Sequence, residues 1–198
     1  IAQSKSFFFF FFKDFRETFP DNLRAVSLEE FYRAINNCTP GFIRVEADEV
    51  TYPLHVILRY EIERGLFDDT LSVDDLPGIW NESMQKYLGI TPPTDTLGVL
   101  QDSHWSGGAF GYFPSYTLGA LYACQFYQKL VQEQPDTEKN IALGNFTPIK
   151  QWLNEKIHCH GKLYSPQELI KNVTGAHLNP DYFITYLKTK YSEIYQLS

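Results

Sequence analysis

The amino-acid sequence predicts an all-α protein, with at most a short strand near Phe42. Apolar residues recur at spacings of three and four along most of the chain, which is the period of a helix with one buried face. Residues that can cap helices, together with prolines, divide this pattern into segments. Hydrophobic residues make up 43% of the 198 positions and charged residues only 21%, as in globular chains. We therefore expect a single domain over residues 1–198.

The first predicted helix runs from about Ser4 to Thr18 and ends at Pro20. It contains six consecutive phenylalanines, Phe7–Phe12. A helix with aromatic rings on every side is stable only when other structure covers it, so we expect these rings to be buried against structure that this chain lacks. The run is too short to span a membrane and lacks the flanks of a signal peptide. Because the chain starts at Ile1 and not at Met, we expect further structure to precede it.

A capping box predicts the start of the second helix. The Ser27 hydroxyl can accept from the backbone of Glu30, and the Glu30 carboxylate can reach back, so a helix is expected to about Asn36. The segment Phe42–Val45 is short, apolar and preceded by a Pro-Gly turn, which makes it the one candidate for a strand. The next helix, with a long apolar pattern, is expected to begin at Asp48.

Ser72 is predicted to cap a segment that continues through Trp80–Tyr87 and ends at Gly89. A glycine-rich loop, Leu97–Pro114, follows, and loops of this composition commonly position chemistry or pack tightly. The remaining helices are predicted over four segments: Tyr116–Val131, Thr147–His158, Ser165–Val173 and Pro180–Leu197.

Composition excludes several function classes. The 24 acidic and 17 basic residues give a net charge of −7, and no cluster of Lys and Arg offers the positive surface that nucleic acid requires. We expect neither nucleic acid nor a membrane as a partner. The three cysteines, Cys38, Cys124 and Cys159, are widely spaced and fit neither a disulfide scaffold nor a thiolate zinc site. This favours a reducing, cytoplasmic compartment.

The histidines predict no metal site within the chain. No HExxH motif, which would place two imidazoles one helical turn apart, is present. His158 and His160 are two positions apart and would point in different directions on a helix. His55 lies in an apolar helical stretch, which is typical of a buried core histidine. The sequence also lacks the serine-nucleophile motif GxSxG and a phosphate-binding GK[ST].

Two short segments combine residue types that carry chemistry. Ile43–Asp48 places an arginine between apolar residues and ahead of two acids, and Gly98–Trp105 places a glutamine, an acid and a histidine within four positions. A purely structural interpretation is that Arg44 pairs with Asp48 or Glu46 and that the acid of the second segment orients its histidine.

These two segments resemble a known family. IRVEAD and GVLQDSHW match the IRxxAD and GxxQDxHW signatures of the carboxypeptidase Taq family of metallocarboxypeptidases. The similarity continues through three further stretches: Ala47–Glu63, His104–Gln125 and Lys162–Ile170. The resemblance implies a mostly helical, zinc- or cobalt-dependent exopeptidase, commonly a homodimer, that releases single amino acids from peptide C-termini.

The resemblance also implies that this chain corresponds to the C-terminal part of such an enzyme. The family's HPF, DxRxT, HExxH and HES/GQ signatures would lie upstream of Ile1, and with them the zinc ligands and the catalytic glutamate. The chain would then supply a wall of the substrate cleft and need the N-terminal half for activity. The alternative is a catalytically inactive fragment or a module that binds peptide C-termini.

Roles follow residue by residue from this resemblance. Arg44 is the candidate for binding the free carboxylate of a peptide substrate, since a guanidinium offers a planar fork of donors. A tyrosine is expected to donate to the oxyanion that develops during hydrolysis. We favour Tyr116 over Tyr112 for this catalytic role, with Tyr112 left to contact the substrate.

The second signature supplies the other candidates. His104 is expected to act with Tyr116 in catalysis, and Gln101 and Asp102 to contact the substrate or to orient ligands from elsewhere. Trp105 would support that loop. Asp48 would support the first signature, either as an ion partner of the arginine or as a helix N-cap.

Overall fold

The computed structural model describes residues 1–197, and all its regular structure is helical. Ten α-helices follow one another within these residues. They are α1 (Lys5–Thr18), α2 (Pro20–Leu23), α3 (Leu28–Ile35), α4 (Tyr52–Phe67), α5 (Leu76–Leu88), α6 (Pro114–Glu133), α7 (Thr137–Ala142), α8 (Thr147–Lys156), α9 (Pro166–Thr174) and α10 (Asp181–Tyr195). Three 3-10 turns lie between them, at Arg44–Glu46, Val73–Asp75 and His158–His160. The all-α prediction is confirmed.

The expected strand near Phe42 does not form. Arg44–Glu46 is a 3-10 turn, in which the Glu46 amide donates to the Ile43 carbonyl at 3.2 Å and the Ala47 amide to the Arg44 carbonyl at 3.1 Å. These local bonds occupy groups that a strand would need for a neighbour. Among residues 1–197 no strand is present.

The chain divides into two compact units. The central unit covers Asn37–Ala120. The discontinuous unit consists of Ile1–Asn36 and the chain from Leu121 onward, so helix α6 begins in one unit and continues in the other. Whether the two units make the single domain expected over residues 1–198 stays a prediction.

Helix α1 belongs to the discontinuous unit and buries only part of its phenylalanine run. The Ser4 hydroxyl accepts from the Phe7 amide at 3.2 Å and begins the helix. Phe8 and Phe12 are buried within this chain, and Phe9 is 71% exposed. The expected burial of the run against structure outside the chain stays a prediction. The buried core of the unit is formed by four residues: Leu130, Ile141, Ile149 and Trp152.

Local sequence signals set several helix ends as expected. The capping boxes at Ser27 and Ser165 both form, with each serine bonded reciprocally to a glutamate three positions later. Gly89 ends α5 with a φ of 71°, a conformation that glycine adopts without a steric penalty. Helix α4 starts later than predicted, at Tyr52, because the Asp48 carboxylate binds the amides that precede the helix.

The central unit places α4 against α5. Their shared core is formed by Leu58, Ile62, Trp80, Met84 and Leu88. This packing fixes the direction of α4, whose side chains reach the two signature segments. None of the helices described for residues 1–197 is long and apolar enough to cross a membrane.

Candidate functional site

The two signature segments meet in the central unit. The Arg44 amide donates to Gln101 Oε1 at 2.8 Å, although the residues are 57 positions apart. Gln101 Nε2 in turn lies within 2.9 Å of the Phe42 carbonyl and 3.1 Å of the carbonyls of Leu97 and Gly98. A single amide side chain therefore joins the 3-10 turn to the glycine-rich loop.

The Arg44 side chain is buried and paired with the second signature. Its Nη2 lies 2.7 Å and its Nε 3.2 Å from Asp102 Oδ1, and its Nη1 donates to the Tyr52 hydroxyl at 2.8 Å. The structural interpretation that paired Arg44 with Asp48 or Glu46 is therefore wrong. The pair instead links side chains that are distant in sequence.

Asp48 has a local role. Its carboxylate accepts from the amides of Val50 and Thr51 at 2.9 Å each and from the Thr51 hydroxyl at 2.8 Å. It also accepts from the Thr39 amide at 3.1 Å. These bonds hold the turn that leads into α4, a role similar to that of a helix N-cap. Asp48 makes no ion pair with Arg44.

Arg59 is a site residue that sequence reasoning missed. This α4 side chain has no exposed surface, and its Nε donates to Asp102 Oδ2 at 2.7 Å. Its Nη2 also lies 2.7 Å from Oδ2 but without hydrogen-bond geometry, and its Nη1 donates to the His55 carbonyl at 2.8 Å. The available signal was its spacing of four from His55 and from Glu63, since all three lie on the buried face of α4.

The three charges shift one another's pKa values. Burial acts to raise the pKa of Asp102, but the hydrogen bonds and charges of Arg44 and Arg59 hold it below its ordinary value. Burial acts to lower the pKa of Arg44, and the bond with Asp102 outweighs it. For Arg59 burial prevails and lowers the pKa to about 10. Both arginines therefore stay charged at neutral pH, and so does the carboxylate.

His104 is linked to Tyr116 and not to Asp102. Its Nε2 shares a hydrogen bond of 3.1 Å with the Tyr116 hydroxyl, and its ring lies 4.4 Å from the ring of Phe113. Its Nδ1 is 3.8 Å from Asp102 Oδ1, too long for a hydrogen bond. The interpretation that Asp102 orients this histidine is therefore wrong, since both carboxylate oxygens are taken by arginines.

The two candidate tyrosines differ in their surroundings. The Tyr116 ring lies over the Arg44 guanidinium, with 4.9 Å between that group and the ring centre, while its hydroxyl contacts His104. Tyr112 is 52% exposed, and its ring packs edge-on against Tyr116 at 5.3 Å. Both lie at the site, and Tyr116 has the more defined position.

Glu63 anchors the glycine-rich loop and was also missed from the sequence. Its buried carboxylate accepts from Trp105 Nε1 at 2.8 Å and from the Gly111 amide at 3.1 Å. Gly111 has a φ of 74°, which favours glycine at this position. Trp105 follows His104 directly, and its indole binds Glu63 of α4, so it supports the loop.

Comparison with known proteins decides the family. The sequence model of the family described as carboxypeptidase Taq (M32) metallopeptidase matches residues 1–191. The chain belongs to the M32 family. Carboxypeptidase 1 of Bacillus subtilis (strain 168) is 52% identical over 197 residues, and thermostable carboxypeptidase 1 of Thermus thermophilus is 45% identical over 195 residues. These alignments cover 100% and 98% of this chain but 39% and 38% of the relatives.

Solved structures of M32 relatives agree with the fold. The M32 carboxypeptidase from Deinococcus radiodurans R1 superimposes with a TM-score of 0.97 at 39% identity and covers the whole chain. The Pyrococcus furiosus carboxypeptidase superimposes with a TM-score of 0.94 at 40% identity over 96% of the chain. The chain spans 40% and 38% of these two structures, so the fold of this part of an M32 protein is shown.

The residues of this M32 chain do not fit the metal that the family implies. Within residues 1–197, no group of three or more His, Cys, Asp or Glu side chains is placed to hold an ion. His104 Nε2 is bonded to the Tyr116 hydroxyl, and His55 is buried beside the Gly41 backbone and the charge of Arg59. No chemical step is therefore assigned to a metal here.

The structure brings six of the predicted site residues together: Arg44, Gln101, Asp102, His104, Tyr112 and Tyr116. Trp105 lies beside them through Glu63, and Asp48 stands apart at the start of α4. The roles of these residues in binding or catalysis stay predictions.

Proposed function

We propose that this chain forms the carboxylate-binding wall of an M32 metallocarboxypeptidase, which hydrolyses the last peptide bond of a substrate and releases one amino acid. The observation that carries the proposal is the join between the two signatures, in which Asp102 of the second holds Arg44 of the first. In this proposal the zinc or cobalt ligands lie in the part of the relatives that the chain does not span.

Arg44 has donors left for a ligand. Its Nε, Nη1 and Nη2 each have a protein partner, and a guanidinium carries five N–H groups, so one N–H remains on each terminal nitrogen. Two such donors match the two oxygens of a carboxylate. The side chain is 5% exposed, and the ring centres of Tyr52, Phe113 and Tyr116 lie within 5.7 Å of its guanidinium.

Tyr116 and His104 are proposed to serve the reacting carbonyl. When water adds to that carbonyl, its oxygen becomes negative, and a fixed hydroxyl donor stabilises it. The hydrogen bond of 3.1 Å to His104 Nε2 fixes the direction of the Tyr116 hydroxyl. Gln101 and Asp102 hold the turn and the guanidinium in place, and Tyr112 offers an exposed ring to the substrate.

A second candidate function is a module that binds peptide C-termini without cutting them. The carboxylate-binding residues all lie within the central unit, whereas residues 1–197 hold no cluster of metal ligands. A homodimer and a cytoplasmic location are further proposals that rest on the family resemblance and on cysteines that form no disulfide.

Activity measurements separate these functions. We expect no release of amino acid from an N-blocked dipeptide by the purified chain with zinc or cobalt. Release should appear on co-expression with the region of the Bacillus subtilis relative that this chain lacks, and a chelator should abolish it. If the dipeptide binds but no amino acid is released, either by the chain alone or after co-expression, the binding module would be favoured. Chelator-sensitive release by the chain alone would contradict the proposed location of the ligands.

Variants of the complemented protein test the binding role. Arg44→Lys keeps the charge but loses the planar fork, so we expect KM to rise about tenfold or more. Arg64→Lys is the matched control, because this α4 arginine is exposed and pairs only with Asp68. Equal kinetics for the two variants would contradict carboxylate binding by Arg44.

A further inference from the structure

The charged cluster contains a second arginine that the proposed function does not use. We propose that Arg59 is a positioning residue, which occupies one oxygen of Asp102 and so leaves the cluster one positive charge for the carboxylate of a peptide ligand. This inference rests on the proposed role of Arg44. Arg59 cannot touch the ligand itself, because its side chain is fully buried.

The two oxygens of Asp102 are divided between the arginines. Arg44 Nη2 donates to Oδ1 at 2.7 Å, and Arg59 Nε donates to Oδ2 at 2.7 Å. Arg44 Nε lies 3.2 Å from Oδ1 and 3.4 Å from Oδ2, and Arg59 Nη2 lies 2.7 Å from Oδ2. Asp102 takes the Nε–H and one N–H of Nη2, and Tyr52 takes one N–H of Nη1, so one N–H stays on each terminal nitrogen of Arg44 for a ligand. By holding Oδ2, Arg59 adds a second positive charge beside Asp102.

The charges of the cluster do not cancel. Within residues 1–197, Asp102 is the only carboxylate in ion-pair contact with either arginine, so two cations face one anion. Glu63 lies one turn beyond Arg59 on α4, but its oxygens are bonded to Trp105 and Gly111. His55 is held neutral, because burial and the charge of Arg59 lower its pKa to about 4.

Aromatic rings stabilise the excess charge without neutralising it. The Arg59 guanidinium lies 4.5 Å from the ring centre of Trp80 and 5.3 Å from that of Phe113. Such contacts favour a buried cation and leave its charge intact. Arg59 Nη2 lies 2.7 Å from Asp102 Oδ2, although without hydrogen-bond geometry. The positive charge of the two arginines thus exceeds the negative charge of the one carboxylate that pairs with them.

Charge-matched variants test the inference by binding. The probe is an N-acetylated dipeptide, titrated against the isotope-labelled 198-residue chain by NMR, and the reference is the same dipeptide with a C-terminal amide. The cluster carries +1 in the wild type, zero in Arg59→Gln, and +1 again in the double variant Arg59→Gln/Asp102→Asn. We expect the preference for the acid over the amide to fall about tenfold in Arg59→Gln and to return in the double variant.

Met84→Ala is the control for stability. Met84 is buried in the same core, so its truncation should lower the unfolding temperature without changing the preference. No preference in the wild type would overturn the carboxylate-binding role of Arg44, and the inference with it. A wild-type preference that survives in Arg59→Gln would overturn the inference alone.

The double variant guards against a structural explanation. A loss of preference that it does not reverse would mean that Arg59 acts only by holding the fold. If Arg59→Gln does not fold, the double variant alone remains decisive, because its net charge equals that of the wild type. A folded double variant that lacks the acid preference, while the NMR signals of the Arg44 side chain stay at their wild-type positions, would overturn the inference.

Discussion

The phenylalanine run of helix α1 and the charged cluster around Asp102 stabilise their units in different ways. In α1, six identical side chains occupy successive positions, and their exposures range from buried at Phe8 to 71% at Phe9. In the cluster, each oxygen of Asp102 has its own arginine at 2.7 Å. Apolar packing tolerates side chains left partly outside, whereas a buried charge requires one specific partner.

Removing the shared carboxylate tests this contrast with the largest expected effect. Asp102→Ala leaves two buried guanidinium groups without an anion, and we expect the free energy of unfolding to fall by about 5 kcal/mol. Urea denaturation followed by tryptophan fluorescence measures it, since Trp80 and Trp105 lie in the central unit. The control Asp74→Ala changes an exposed carboxylate that makes no ion pair and should cost less than about 0.5 kcal/mol. Similar losses in the two variants would contradict the role of the cluster.

Two substitutions within α1 test the apolar packing of the phenylalanine run. Phe12 is 7% exposed, so Phe12→Ala should lower the free energy of unfolding by about 4 kcal/mol through lost burial and a cavity. Phe9 lies three positions before Phe12 on the same helix. Phe9→Ala should change the free energy of unfolding by less than about 0.5 kcal/mol, because its ring is already largely in water. Thermal denaturation of both proteins gives the comparison, and equal losses would mean that the rings act as one packed block.

The smallest effect concerns pH. His55 is fully buried, and its pKa is lowered from 6.5 to about 4, so the unfolded chain binds more protons than the folded chain between these values. Stability should therefore decline as pH falls from 6.5 to 4, by about 3 kcal/mol from this residue. Urea midpoints at several pH values measure the decline.

His55→Leu provides the matched protein for that experiment. It removes the titrating ring and keeps an apolar side chain inside, so its stability should vary less over the same pH range. An identical pH dependence in the two proteins would show that other groups cause the decline. The Asp102 carboxylate does not interfere in this range, because its pKa lies below the ordinary value of 3.8.

Local signals account for what the sequence predicted well. The capping boxes at Ser27 and Ser165 and the left-handed Gly89 depend on residues a few positions apart, so their geometry is contained in short stretches. Helix α7, six residues long, was missed because so short a segment shows no apolar period. The segment Phe42–Val45 is a strand candidate in the sequence because it is apolar and β-branched at two positions, but the local bonds of the turn Arg44–Glu46 form instead.

Partners distant in sequence account for the rest. The family signatures singled out Arg44 and Asp102, but nothing in either segment states that they pair across 58 positions. Arg59 and Glu63 looked like ordinary charges on a helix, and only burial on the same face as His55 reveals them. Their effect on Asp102 and on the glycine-rich loop depends on three-dimensional packing, which periodicity does not encode.

The discontinuous unit has a consequence for synthesis on the ribosome. Helix α1 packs against α7, although the whole central unit lies between the two helices in the sequence. The phenylalanine run therefore leaves the ribosome before α7 exists. Translation of the chain as far as residue 137 takes on the order of ten seconds more at ordinary elongation rates. During that interval its rings have no native partner from α7. Phe8 and Phe12 can pack against Phe31 of α3 at that stage, but the rings on the α7 side stay uncovered and form an aromatic surface of the kind that chaperones bind.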